Sequence, residues 1–261
     1  MSKFLKKEIN KLNKKESKII NKKSNKIIKD KLTPISDKIE EKIPDKLKST
    51  LESAFYNAFK VIFKNGSKYI EKLYDKDKIE LEHEVNDKYL NKKMTRKSLK
   101  LIDSHGKKSK LLNSTISTFE GVGLGLLGIG IPDIPLFIAM ILKTIYEIAL
   151  SYGFNYEDEG EKIYISNLIN VALTSEEEKL VYSERLNKIE EKIQTGLQLE
   201  NLLDEEIKET SRVLSNNLLI AKFIQGLPIV GVVGGITNYK FISKVSKYAR
   251  IKYKKRYLNK Y

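Results

Sequence analysis

Glu80, His83 and Glu84 stand three and four residues apart, spacings that bring side chains to one face of a helix, and an imidazole between two carboxylates can hold a divalent metal. A solvated charged face explains the same pattern and is the stronger reading. The second imidazole, His105, follows Ser104, but no nucleophile elbow surrounds that serine, so a serine hydrolase would need partners that spacing does not reveal. Gly123, Gly125 and Gly128 invite comparison with a phosphate-cradling loop. No Gly-Lys-Ser/Thr follows them and no buried strand precedes them. Asp133 is the one acid in the apolar run 121–138 and reads as a helix N-cap rather than a proton carrier. Without cysteine there is no disulfide, thiolate metal site or cysteine nucleophile. No catalytic residue, metal or cofactor is therefore assigned. The expectation is a protein that is not an enzyme, with an uncatalogued hydrolase as one alternative.

The elements that carry these residues are organised around the run GVGLGLLGIGIPDIPLFI, residues 121–138. Apolar burial is favourable by roughly 25 cal/mol per Å², so this run must be buried in protein or in lipid. Its glycines suit close helix approach, and Pro132-Asp133-Ile134-Pro135 reads as a helix break followed by a new start, with Pro135 tolerated in the first turn. The new helix carries Ile138, Ile141, Leu142, Ile145, Ile148 and Ala149 and stops at Gly153. The prolines split the run into pieces that disfavour a simple membrane span. A second apolar segment, 218–249, passes through Pro228, Gly231, Gly234, Gly235 and Asn238. Leu51, Ala54, Phe55, Ala58, Phe59 and Ile62 mark a core helix, Ser175 before three glutamates reads as an N-cap, and His105-Gly106 reads as a turn in a polar stretch. No strand-pairing signal occurs. The predicted fold is all-α, a multi-helix bundle built around two apolar Gly/Pro-containing helical hairpins that pack together.

Charge supplies the functional expectation. The formal net charge of +15 calls for an anionic partner, either nucleic acid or a phospholipid surface. Residues 1–48 read as a Lys-rich, partly disordered or amphipathic arm, and 49–261 as the helical domain; no secretory signal pattern is evident at the amino terminus. From Thr210 to Tyr261 there is no Asp or Glu. Lys240, Lys244, Lys247, Arg250, Lys254, Lys255 and Arg256 are therefore expected at a membrane surface, with Tyr248, Tyr253, Tyr257 and Tyr261 as interfacial rings. Nucleic acid ranks lower because no recognition helix or RNA-binding motif accompanies the charge.

Two separated signatures resemble the EcsC family of bacterial proteins. The first is G-x-G-x-x-G-x-G-I-P-D-I-P from Gly123 to Pro135, continued by Ala149-x-x-Tyr152-Gly153-Phe154; the second runs from Leu227 to Gly235, with Asn238-Tyr239, Ala249 and Arg256-Tyr257-Leu258. The resemblance implies an all-helical domain with no established catalytic residues, whose namesake is encoded beside the components of an ABC transporter. A weaker likeness links the same Pro-Asp break to helical domains of membrane-associated bacterial GTPases, without any GTP-binding motif here. The expectation is a peripheral protein at the cytoplasmic, inner face of the plasma membrane, assisting a transporter or secretion system.

Overall fold

The computed structural model describes residues 2–21, 43–108, 133–174, 176–197, 199, 202–224 and 235–261. Among them every regular element is helical and no strand occurs, so the fold is an all-α multi-helix bundle. The glycine-rich halves of the two expected hairpins, with Gly123, Gly125, Gly128, Pro132, Pro228, Gly231 and Gly234, lie outside the described residues, as does Ser175.

The helices are α1 (Lys3–Ile20), α2 (Asp45–Val61), a π-helical turn (Ile62–Gly66), α3 (Ser67–Glu71), α4 (Lys76–Lys92) and α5 (Arg96–Lys108). After them come α6 (Asp133–Ser151), α7 (Glu159–Leu173), α8 (Glu176–Gln194), α9 (Leu202–Ile224) and α10 (Gly235–Leu258). Local chemistry explains several starts. The Ser2 hydroxyl accepts from the Leu5 amide at 3.2 Å, and the Asp75 carboxylate accepts from the Lys78 amide at 3.0 Å, each satisfying a donor that the first turn leaves free. At α5 the Thr95 hydroxyl accepts from the Ser98 amide while the Ser98 hydroxyl accepts from the Thr95 amide, a reciprocal cap. This helix corrects the reading of 105–106 as a turn. Started by that cap and seated by Leu99 and Ile102, buried one turn apart, α5 continues through His105 and Gly106 to Lys108.

α6 begins at Asp133 with Pro135 in its first turn, where a missing N–H costs nothing; the surroundings of the Asp133 side chain lie outside the described residues. Its far end closes as a Schellman motif. The Gly153 amide donates to the Leu150 carbonyl at 2.9 Å, and the Phe154 amide to the Ala149 carbonyl at 3.0 Å. Gly153 has φ +72°, the left-handed conformation that this motif requires. The window Ile134–Ser151 is long and apolar enough to cross a membrane by composition, yet 89% of it is buried inside the protein, which makes it a core helix of this fold.

Contacts between named side chains set the directions. Tyr164 faces Glu190, and Arg185 and Tyr182 meet Glu206 and Glu209, so α7, α8 and α9 run up, down and up. The Thr210 hydroxyl donates to the Ser166 carbonyl, in keeping with a parallel α7 and α9. α10 lies across this layer, antiparallel to α7 through Arg256–Glu161 and parallel to α6 through the ring contacts Phe137–Phe241 and Tyr152–Tyr257. α6 and α10, which carry described residues of the two apolar segments, thus pack against one another. α2 packs on α6 and α9 with Phe55, Ala58 and Phe59 fully buried, and α1 packs on α10 and α8.

Candidate functional site

α10 carries a cation at nearly every turn, and the bundle sorts these cations into two sets. Lys240, Lys244 and Lys247 are exposed on its first half. On its second half, acids far away in sequence reach in. The Arg256 guanidinium donates to both oxygens of Glu161 at 2.6 and 2.9 Å, and its carbon lies 4.2 and 4.3 Å from the ring centroids of Tyr164 and Phe154. Burial by itself would lower the Arg256 pKa; Glu161 and the neighbouring phenols outweigh it and hold the group above its ordinary value. The Tyr253 hydroxyl donates to Glu161 at 2.6 Å, and burial first, then Glu161, push that phenol well up, so it stays a donor.

Lys252, 1% exposed, lies 3.3 Å from Glu16 of α1 and 3.1 Å from Glu190 of α8, and donates to the Asn187 side-chain oxygen at 2.8 Å. Lys255 also reaches Glu16, at 2.8 Å, and Lys254 pairs with Asp103 of α5 at 2.6 Å. Arg250 is half-buried, and burial lowers its pKa against the pull of Tyr152 and Asp103. The expectation that all seven cations face a membrane is thus corrected at Arg256, which is 4% exposed; Lys254 and Lys255 are partly exposed and hold acids of neighbouring helices. Tyr248, Tyr253 and Tyr257 are buried as well, so these rings build the core and are not an interfacial belt. Of the expected glycine and amide positions, Gly235 opens α10 and Asn238 falls in its first turn, with its side-chain surroundings outside the described residues.

A cationic surface nonetheless exists, much of it on α1. Leu5, Ile9, Leu12 and Glu16 recur at helical spacing and are buried, which turns Lys3, Lys7, Lys14 and Lys18 to the opposite side, where all four are exposed. Glu16 fixes this orientation. Burial alone would raise its carboxyl, but Lys252 and Lys255 more than offset burial and hold it below the ordinary 4.5. A carboxylate whose folded pKa is depressed contributes stability above its unfolded value and loses that contribution as pH falls through the folded one. Amide exchange of α1 should therefore stay slow on acidification past 4.5 and quicken at lower pH, whereas Glu16→Gln should show fast α1 exchange at neutral pH already.

The Glu80, His83 and Glu84 face does not converge. Glu80 and Glu84 are exposed, while His83 turns inward, its Nδ1 3.1 Å from the Ser151 carbonyl oxygen and its ring edge-on to Tyr257 at 5.8 Å. Among the described residues no three His, Asp or Glu side chains are grouped as metal ligands. A cleft of about 380 Å³ between α1 and α8 is walled by Glu16, Asn187 and Lys255, groups already engaged with one another or with Lys252. The acids that matter, Glu16, Glu161 and Glu190, were not singled out by motif. One signal pointed to them: a stretch with many cations and no acid must find its counter-charges elsewhere.

The EcsC protein family model matches residues 6–258. The chain belongs to the EcsC protein family. Protein EcsC of Bacillus subtilis (strain 168) is 29% identical over 161 residues, covering 56% of this chain and 62% of that relative, so the chain covers less than two thirds of the relative's length. No solved structure matches the chain. The EcsC match begins at residue 6, so α1 falls almost wholly within the matched residues, and its buried stripe of Ile9, Leu12 and Glu16 packs in the bundle with α8 and α10.

Proposed function

We propose that this EcsC-family protein is a non-enzymatic accessory protein that docks on the anionic inner face of the plasma membrane and assists an ABC transporter or secretion system. The observation that carries the membrane reading is the orientation of α1, whose apolar stripe and Glu16 are seated on the bundle and whose lysines face out. Lys240, Lys244 and Lys247 add exposed cations on α10. A phospholipid surface rewards such an arrangement by about 1 kcal/mol per Lys near the headgroups, without sequence or shape complementarity. The transporter half rests on the family's namesake alone.

Flotation with vesicles tests the membrane reading. At low salt the protein should rise with phosphatidylglycerol-containing vesicles and stay behind with phosphatidylcholine alone, and raised salt should weaken the binding without abolishing it. Changing Lys3, Lys7, Lys14 and Lys18 together to Gln should weaken low-salt binding by roughly a hundredfold or more. Absence of flotation at low salt would remove the reading. Tight binding of nucleic acid at physiological salt, with vesicles ignored, would replace it.

A further inference from the structure

α4 shows the reverse of the usual helix pattern on its outer side. Leu81, Val85 and Tyr89, at i, i+4 and i+8, are 61%, 45% and 61% exposed, a line of large apolar side chains over more than two turns. At about 100° per residue, Lys78, Lys88 and Lys92 fall within the same sector, whereas Asp77 and Glu84 lie on one flank and Glu82 on the other. The inner side is fastened. Leu90 is buried, His83 meets the Ser151 carbonyl, and Asp87 accepts from the hydroxyls of Tyr257 and Tyr261 at 2.6 and 2.7 Å. The outer face is therefore a fixed part of the surface.

We infer that this face of α4 is a shallow insertion site for an anionic bilayer, with Leu81, Val85 and Tyr89 entering the headgroup–acyl boundary and Lys78, Lys88 and Lys92 reaching back to the phosphates. Charge complementarity names the occupant. Cations interleaved with apolar groups in one sector are what an interfacial helix presents to acidic lipid, because lysine stems lie along apolar surface while their ammonium groups seek the headgroups. A protein partner fits less well. Three side chains on a convex helix fall far short of the roughly 800 Å² per partner of a stable protein interface, whereas a lipid surface has no minimum area to fill. The backbone of α4 stays hydrogen-bonded throughout, so insertion leaves no unpaired amide in lipid. The inference rests on the membrane reading above and adds to it an apolar component that salt does not screen.

The chain contains no Trp, so a single introduced indole reports its own surroundings without background. Val85→Trp should shift its emission to the blue on mixing with vesicles of phosphatidylglycerol and bromine-labelled phosphatidylcholine, and the bromines should quench it. Replacing Leu81, Val85 and Tyr89 together by Gln, a good helix former without charge, should change the melting temperature little, since all three are exposed, and weaken vesicle binding by about tenfold or more. If wild-type protein floats with anionic vesicles but Val85→Trp is unquenched, or the triple variant binds with unchanged affinity, α4 is not the inserting element and the membrane reading survives without it. If wild-type protein does not float, the membrane reading itself has failed, and this inference with it.

Discussion

Arg256→Ala should destabilise the protein by about 3–5 kcal/mol, a large share of a folding margin of about 5–15 kcal/mol. The size follows from what alanine leaves behind. Glu161 is 4% exposed and would be left with the Tyr253 hydroxyl as its remaining donor, while Tyr164 and Phe154 would lose the flat cation packed against them. Arg256→Lys should recover little, because an ammonium cannot make two parallel bonds to one carboxylate and stacks poorly on rings. Glu161→Gln should be nearly as damaging as the alanine change, and the double change Arg256→Met with Glu161→Leu milder than either single one, since both buried charges then disappear together. Urea denaturation of the four variants would read this order, and a mild Arg256→Ala would show that the pair is not essential to the core.

Gly153→Ala comes second, at about 2–4 kcal/mol, from two separable causes. An alanine at φ +72° is strained wherever it stands. In addition its Cβ would lie 2.2 Å from His83 Nε2, so the ring would have to leave the Ser151 carbonyl and the edge of Tyr257. Repeating the substitution in a His83→Ala background should remove the collision and leave about 1 kcal/mol of backbone strain. Equal costs in both backgrounds would show that His83 moves aside freely.

The helical character of the chain and its first core helix were legible because Leu51, Ala54, Phe55, Ala58, Phe59 and Ile62 repeat at the period that buries one side. Gly153 was legible as a stop, since a left-handed residue at a helix end favours glycine. The fate of the carboxy-terminal cations was not. Whether Lys244 or Lys252 meets water depends on which helices arrive beside α10. Glu161 lies 95 residues from Arg256, and Glu16 lies 239 from Lys255, distances over which no local period carries information. The tyrosines misled for a related reason, because a ring with a polar tip suits a buried carboxylate as well as a headgroup. Residues 1–48 read as a partly disordered or amphipathic arm because the apolar stripe is thin; in α1 one acid in that stripe, matched to two cations on α10, completes the seat.

The separation of Glu16 from Lys255 also orders events during synthesis. At about 5–20 residues per second, the ribosome needs roughly 10–50 s after making α1 before it makes the helix on which α1 rests. Throughout that interval Leu5, Ile9 and Leu12 lack the α10 part of their seat, and the nascent segment, with its seven lysines, is a basic amphipath in its own right.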